Sequence, residues 1–227
     1  MWRPFGPRGP SWWELSLQAL SSTTAGYDRL APRFDATPFR TPEPILAATL
    51  DGLEPVGAAI DLCCGTGAAL AHLRARRVVG LDASAGMLER ARARVPGAEL
   101  VQGDVLDPPE LGAFDLATCF GAFGHVLEAD EPRFVRTLVR LLRPGGRFVF
   151  VTSDPRGPTL GRALARTFNG VMRVRNALLR PPFIMYYLTF ELPRARRLLT
   201  EAGFGIATQP LPAPYERLVH VVATRER

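Results

Sequence analysis

Lysine is missing from this chain: all 28 basic residues among its 227 are arginine. That absence excludes Schiff-base and pyridoxal-phosphate chemistry, which need a lysine amine, and any lysine-bearing phosphate loop. Histidine and cysteine are scarce, at three each. Cys63 and Cys64 are adjacent and Cys119 is remote in sequence, so neither a metal-type C-x-x-C spacing nor a disulfide framework exists, and no metal is expected. No apolar run reaches the ~18–20 residues that a membrane-spanning helix needs. The N-terminal stretch lacks the apolar core of a signal peptide, which makes a cytoplasmic location the default expectation.

What is present is ordinary globular material. Hydrophobic residues make up 47% and charged residues 22%, a balance that argues against disorder over most of the length. The net charge of +6 invites a nucleic-acid reading. Arginine without lysine, however, marks the coding bias of a GC-rich bacterial genome, and a nucleic-acid surface would need its charges on one face. No nucleic-acid partner is expected.

Residues 1–40 read as an N-terminal helical cap. Within it Ser11-Trp12-Trp13-Glu14 is a capping box that opens a short helix to about Leu20. A Ser-Ser-Thr-Thr loop and the segment Gly26-Tyr27-Asp28-Arg29-Leu30-Ala31 follow, and Thr41-Pro42 opens a helix over 43–53. Residues 41–227 read as one domain. Strands are predicted over 58–62, 78–82, 99–102, 114–120 and 147–152, with helices over 68–76, 84–95 and 131–142, the last stopped by Pro144-Gly145-Gly146. This alternation implies parallel βαβ units with right-handed crossovers and a ligand site at the carboxyl ends of the strands. The stretch 155–190 breaks it: Leu160, Leu164, Phe168, Val171 and Leu178 share one helical face, and Arg162, Arg166, Arg173 and Arg180 another. A helix over 193–202 and an antiparallel strand pair over 204–208 and 218–224 close the chain.

The chemistry concentrates where strands end. Asp61-Leu62-Cys63-Cys64-Gly65-Thr66-Gly67 is a strand running into glycines and then an expected helix N-terminus, which lets backbone approach a ligand and favours a negative group. A dinucleotide fold would require a third glycine, and that position is Leu70. Asp82 closes the second strand, where a carboxylate can accept both hydroxyls of an adenosine ribose; capping the next helix is the compatible structural role. Asp104 and Val105 close the third strand, placed to read an adenine edge with a carboxylate and a backbone amide, though Asp104 alone would suit a turn equally well.

The ordered set resembles the class I S-adenosylmethionine (SAM)-dependent methyltransferases, particularly the small-molecule branch with quinone and natural-product enzymes. Asp61–Gly67 is similar to that family's first motif, Gly80–Leu88 to its second, Gly103-Asp104 to its third, Phe114–Ala117 to its fourth, and Leu142–Gly146 to the loop before its fifth strand. The resemblance implies an α/β fold with a Rossmann-like doubly wound seven-stranded sheet, mostly parallel with an antiparallel C-terminal strand, plus a helical lid. It implies SAM as cofactor and S-adenosylhomocysteine as product. Gly65, Thr66 and Gly67 would pack on the methionine part, Asp82 would hold the ribose, Ala83 and Met87 would contact adenine, and Asp104 and Val105 would read its edge. Phe120 would lie near the sulfonium, and Tyr27 would close over the cofactor. Cys63 departs from the family, which usually has glycine there.

Methyl transfer from a sulfonium is an in-line displacement in which holding the partners in near-attack geometry is worth up to roughly 7–11 kcal/mol. A base is needed only where the acceptor must lose a proton. His72 and His220 fall within regular elements and read as structural; His125, past the fourth strand, is the candidate catalytic or acceptor-orienting residue, with a loop-shaping role as the alternative. The insert at about 155–190 reads as an acceptor lid. Phe123, Phe183, Tyr186 and Tyr187 are the expected acceptor-lining residues, suiting a small lipophilic or aromatic molecule. The basic amphipathic stretch beside them also fits peripheral membrane contact, with lid core as the favoured role. A non-catalytic SAM-binding module is the alternative reading. A nicotinamide oxidoreductase is disfavoured by Leu70 and by the lack of a Tyr-x-x-x-Lys pair.

Overall fold

Ala58-Ala59-Ile60 and Val79-Gly80-Leu81 lack polar alternation, as strands covered on both faces require. In the computed structural model, which describes residues 2–155 and 160–226, both are interior strands of a seven-stranded sheet. Its strands are β1 (Val56–Leu62), β2 (Ala75–Asp82), β3 (Glu99–Gln102), β4 (Phe114–Cys119), β5 (Leu142–Ser153), β6 (Phe204–Pro210) and β7 (Leu218–Arg225), in the order β3-β2-β1-β4-β5-β7-β6. Neighbours among β1 to β5 pair in parallel, whereas β7 runs antiparallel to both β5 and β6. Strand order reverses between β1 and β4, which is where such sheets bind ligands.

Seven α-helices are described: α1 (Trp12–Leu20), α2 (Thr23–Leu30), α3 (Glu43–Leu50), α4 (Ala85–Arg94), α5 (Glu131–Leu141), α6 (Leu160–Leu178) and α7 (Leu192–Glu201). Side-chain alternation along the strands gives the sheet two cores. One face sends Ile60, Leu62, Phe148 and Phe150 against Phe134 and Leu138 of α5 and Leu199 of α7. The other sends Ala59, Leu116 and Val149 against Leu46 and Leu50 of α3.

Three expectations change. No α-helix forms over 68–76: the chain makes turns and a single 3-10 turn at Leu70–His72, and β2 begins at Ala75. Arg76, read as helical, is a strand residue, as is Arg77 just beyond the predicted helix. Arg77 pairs with Glu99 across the β2–β3 ladder at 2.8 Å and covers the Phe114 ring at 5.2 Å. The segment 142–146 is strand from Leu142 on, not a loop before one; a register shift against β4 absorbs it, Gly145 takes φ +80°, and a Cβ on Gly146 would stand 2.8 Å from the Arg143 carbonyl. The threonines read as loop belong to α2, where the Ser22 hydroxyl accepts from the Ala25 amide.

The capping box at Ser11 forms in full, with the Glu14 carboxylate returning to the Ser11 amide. α6 occupies most of the expected lid stretch, of which positions 156–159 lie outside the described residues.

Candidate active site

The turn after β1 owes its shape to three departures from ordinary backbone at alternate positions. Cys63, Gly65 and Gly67 have φ of +56°, +54° and +80°. Glycine adopts this region freely, whereas cysteine does so at a cost of about 1–2 kcal/mol. Gly67 is further constrained, since a Cβ there would stand 3.2 Å from the Ala91 backbone of α4. A Cβ on Gly65 would meet no atom within 4 Å. The turn therefore packs on α4 at one end and faces open space at the other.

Asp82 organises the floor. Its two carboxylate oxygens accept from the Gly65 amide at 2.8 Å and the Ser84 amide at 2.9 Å. Burial pushes its carboxyl above the ordinary value, the two amides oppose that, and the Asp28 carboxylate adds to it. Each oxygen keeps acceptor capacity for a further hydroxyl donor. Asp61, fully buried beside it, is pushed up to about 7 by burial, against the lowering effect of the Thr118 hydroxyl at 2.6 Å.

The N-terminal segment forms the roof. Asp28 accepts from the Ser84 hydroxyl at 2.6 Å and the Gly86 amide at 3.0 Å, placing a carboxylate at the N-terminus of α4, where the helix dipole favours it. Asp35 takes the Thr66 hydroxyl at 2.6 Å and pairs with Arg94. Beneath the roof Tyr27 meets His125, with its hydroxyl 2.9 Å from Nε2. Nδ1 of His125 lies 2.6 Å from the Ile184 carbonyl, which can only accept, so Nδ1 carries the proton and Nε2 is the acceptor. Burial holds this imidazole below its ordinary pKa and the Tyr27 phenol well above its own.

These walls enclose a cavity of about 160 Å³. Of the residues read from the sequence, Tyr27, Gly65, Thr66, Asp82, Ala83, Met87, Phe120 and His125 line it. Gly67 sits behind the turn. Asp104 and Val105 stand outside the lining, Asp104 exposed with its carboxylate on the Leu106 amide at 2.8 Å and Val105 buried in the core. None of the four residues expected around the acceptor lines the cavity. Phe123 stacks on Phe190 in the core, Phe183 stacks behind Tyr27, and Tyr186 and Tyr187 border a separate groove. His72 is held between Asp51 and Glu43 at 2.6 and 2.7 Å, and His220 lies within β7; neither reaches the cavity.

Sequence reasoning missed Phe34, Phe39, Arg40 and Thr41, which complete the roof. Their signal was weak, because they fall in a proline-punctuated stretch with no periodicity. Arg40 is informative: its Nε is buried without a hydrogen-bond partner among the described residues, while the guanidinium pairs with Glu43 at the surface. A buried donor of this kind calls for an anionic or carbonyl partner in the cavity it borders. Together with the open face of Gly65 and the acceptor capacity of Asp82, it fits a ligand that carries a carboxylate and a vicinal diol, as SAM does.

A methyltransferase-domain family model matches residues 59–146. The chain is 32% identical over 172 residues to an uncharacterized methyltransferase of Synechocystis, covering 71% of this chain and 73% of that one. It is 38% identical over 143 residues to a 2-phytyl-1,4-naphtoquinone methyltransferase of Thermosynechococcus vestitus, covering 56% and 63% respectively. Among solved structures, the DhpI complex with S-adenosylhomocysteine superposes with a TM-score of 0.69 at 20% identity, covering 92% of this chain and 98% of that one.

Proposed function

The chain belongs to the class I SAM-dependent methyltransferases, and from that premise we propose that it methylates a small, lipophilic or aromatic acceptor that must shed a proton as it reacts. The observation that carries this is the Tyr27–His125 pair, with its tautomer fixed by Ile184, at the wall of the cofactor cavity. The apolar walls contributed by Phe34, Phe39 and Phe120 support the lipophilic character of the acceptor. So does the likeness to a relative named for a naphthoquinone substrate.

SAM supplies an activated methyl on its sulfonium. In this chain Asp82 would hold the ribose hydroxyls, Arg40 the carboxylate, and Gly65 and Thr66 the backbone edge of the methionine part, with Met87 and Ala83 against the base. Asp104 and Val105 would reach the adenine edge only with rearrangement of the 103–107 turn. The low pKa of buried His125 keeps Nε2 unprotonated near neutrality, ready to take a proton. Tyr27, whose phenol resists ionisation, passes a proton on only as it receives one. The acceptor's proton would therefore move to the Tyr27 oxygen while the Tyr27 proton moves to His125 Nε2, leaving an imidazolium braced by the Ile184 carbonyl. The same two groups orient the acceptor against the methyl.

Asp82→Ala removes SAM binding in isothermal titration while the circular dichroism spectrum keeps the parent's shape; affinity within a few-fold of the parent would overturn the ribose assignment. Tyr27→Phe and His125→Asn each lower kcat on a reduced naphthoquinone or a phenol by about 10²–10⁴-fold with SAM affinity held. Unchanged kcat in both would remove the proton-shedding acceptor from the reading.

A further inference from the structure

We propose that α6 seats the protein on the surface of an anionic phospholipid bilayer, with an apolar stripe in the boundary between headgroups and acyl chains and an arginine row on the lipid phosphates. This goes beyond the methyl-transfer reading and does not rest on it.

The stripe is Leu160, Leu164, Val171, Val174 and Leu178, completed by Thr167, at alternating spacings of four and three residues. Such spacing puts all six on one line of a helix. They face solvent: Leu160 is 78%, Val171 61% and Leu178 76% exposed. The other side of α6 is fixed to the body. Met172 is buried, Asn169 bonds the Tyr187 backbone through both amide ends, and Asn176 does the same for Phe183. Arg175 donates to the carbonyls of Ala19 and Ser21, so exposed Leu20 of α1 stands beside the stripe. The direction of the apolar face is thus set by the fold, and rolling α6 to hide it would break these bonds.

Charge selects the occupant. α6 contains four arginines and no acidic residue. Arg162, Arg166 and Arg173 lie together, ~140° around the helix from the stripe. Arg162 pairs with Glu191, while Arg166 and Arg173 make no hydrogen bond or close ion pair among the described residues and line a groove of about 510 Å³. A second copy of the chain would suit the four-three spacing, but α6 offers no carboxylates to flank such a seam and would leave its exposed arginines without an anionic partner. A bilayer carrying anionic lipid meets both halves at once, since long arginine side chains reach phosphates while the stripe enters the boundary. No described helix is long and apolar enough to cross a membrane.

The test is sedimentation of the full chain with vesicles made of equal parts phosphatidylglycerol and phosphatidylcholine, and with phosphatidylcholine alone. Binding is expected to the anionic vesicles, falling as salt rises. A triple variant, Leu164→Ser with Val171→Ser and Leu178→Ser, and a double variant, Arg166→Ala with Arg173→Ala, should each lose roughly tenfold or more of that binding. Because these side chains are exposed, melting by circular dichroism should match the parent. The proposal fails if the parent stays in the supernatant, if either variant sediments as the parent does, or if the triple variant instead abolishes a dimer seen by size exclusion.

Discussion

The sheet and the α6 insert are held together by different forces. In the sheet and its α5 cover, Phe114, Phe134, Phe148 and Phe150 are fully buried, with Phe148 stacked on Phe150 and edge-on to Phe134, and stability there comes from close packing and apolar burial. The insert buries little. It is tied down by amides reaching backbone, Asn169 to Tyr187 and Asn176 to Phe183, and by the Arg162–Glu191 pair, while leucines and valines stay in water. Packing makes one rigid frame that fixes the Gly65 turn and Asp82. Polar tethers make a part that can open locally without unfolding the frame.

The largest effect should come from breaking the frame. Phe150→Ala removes a ring in contact with Phe123, Phe148 and Phe190, and should cost about 3–5 kcal/mol in urea unfolding. Next in size, Asn176→Ala leaves the Phe183 amide and carbonyl unpaired at about 1–3 kcal/mol. Hydrogen exchange should quicken most around 183–186, with the global urea midpoint falling by less than in Phe150→Ala. A fall in that midpoint matching Phe150→Ala would dissolve the distinction between frame and tether.

A third experiment probes electrostatics inside the frame. Asp61 holds its proton up to about pH 7 when folded, but only to its ordinary, lower value when unfolded. The folded state therefore binds the extra proton between those limits, and stability from this group declines as pH rises through that window and levels off above about 7. Asp61→Asn should flatten this slope in ligand-free melts compared at about pH 5 and pH 8. An unchanged slope would locate the titration elsewhere.

Legibility in the sequence followed the same division. β1 to β5 and the lining residues Asp82, Met87 and Phe120 were readable because an apolar strand ending in glycine or aspartate leaves a local mark. The 68–76 segment was misread since its alanines and leucines look helical, whereas β2 begins at Ala75 through pairing with Val56 of β1, a contact distant in sequence. The roof was hardest. Arg40 matters through a buried nitrogen, and no local pattern announces where an arginine atom is left without a partner. The expected acceptor residues Tyr186 and Tyr187 lie away from the cavity because their backbone is bound to Gly124 and Asn169, contacts distant in sequence.

The smallest expected effect concerns the one irregular residue of the glycine turn. Cys63 sits at φ +56°, where relief of left-handed strain by Cys63→Gly would stabilise by about 1–2 kcal/mol. Against this, glycine raises the entropy of the unfolded chain, worth roughly 0.5–1 kcal/mol. The substitution also removes a thiol that lines the cavity. The opposing contributions nearly cancel, so the melting temperature should stay within a few degrees of the parent. SAM affinity measured by titration then separates two reasons for cysteine at this position. Unchanged affinity means that the turn merely tolerates the residue; a loss of several-fold would mean that the Cys63 thiol, not the backbone, is what the cofactor meets there.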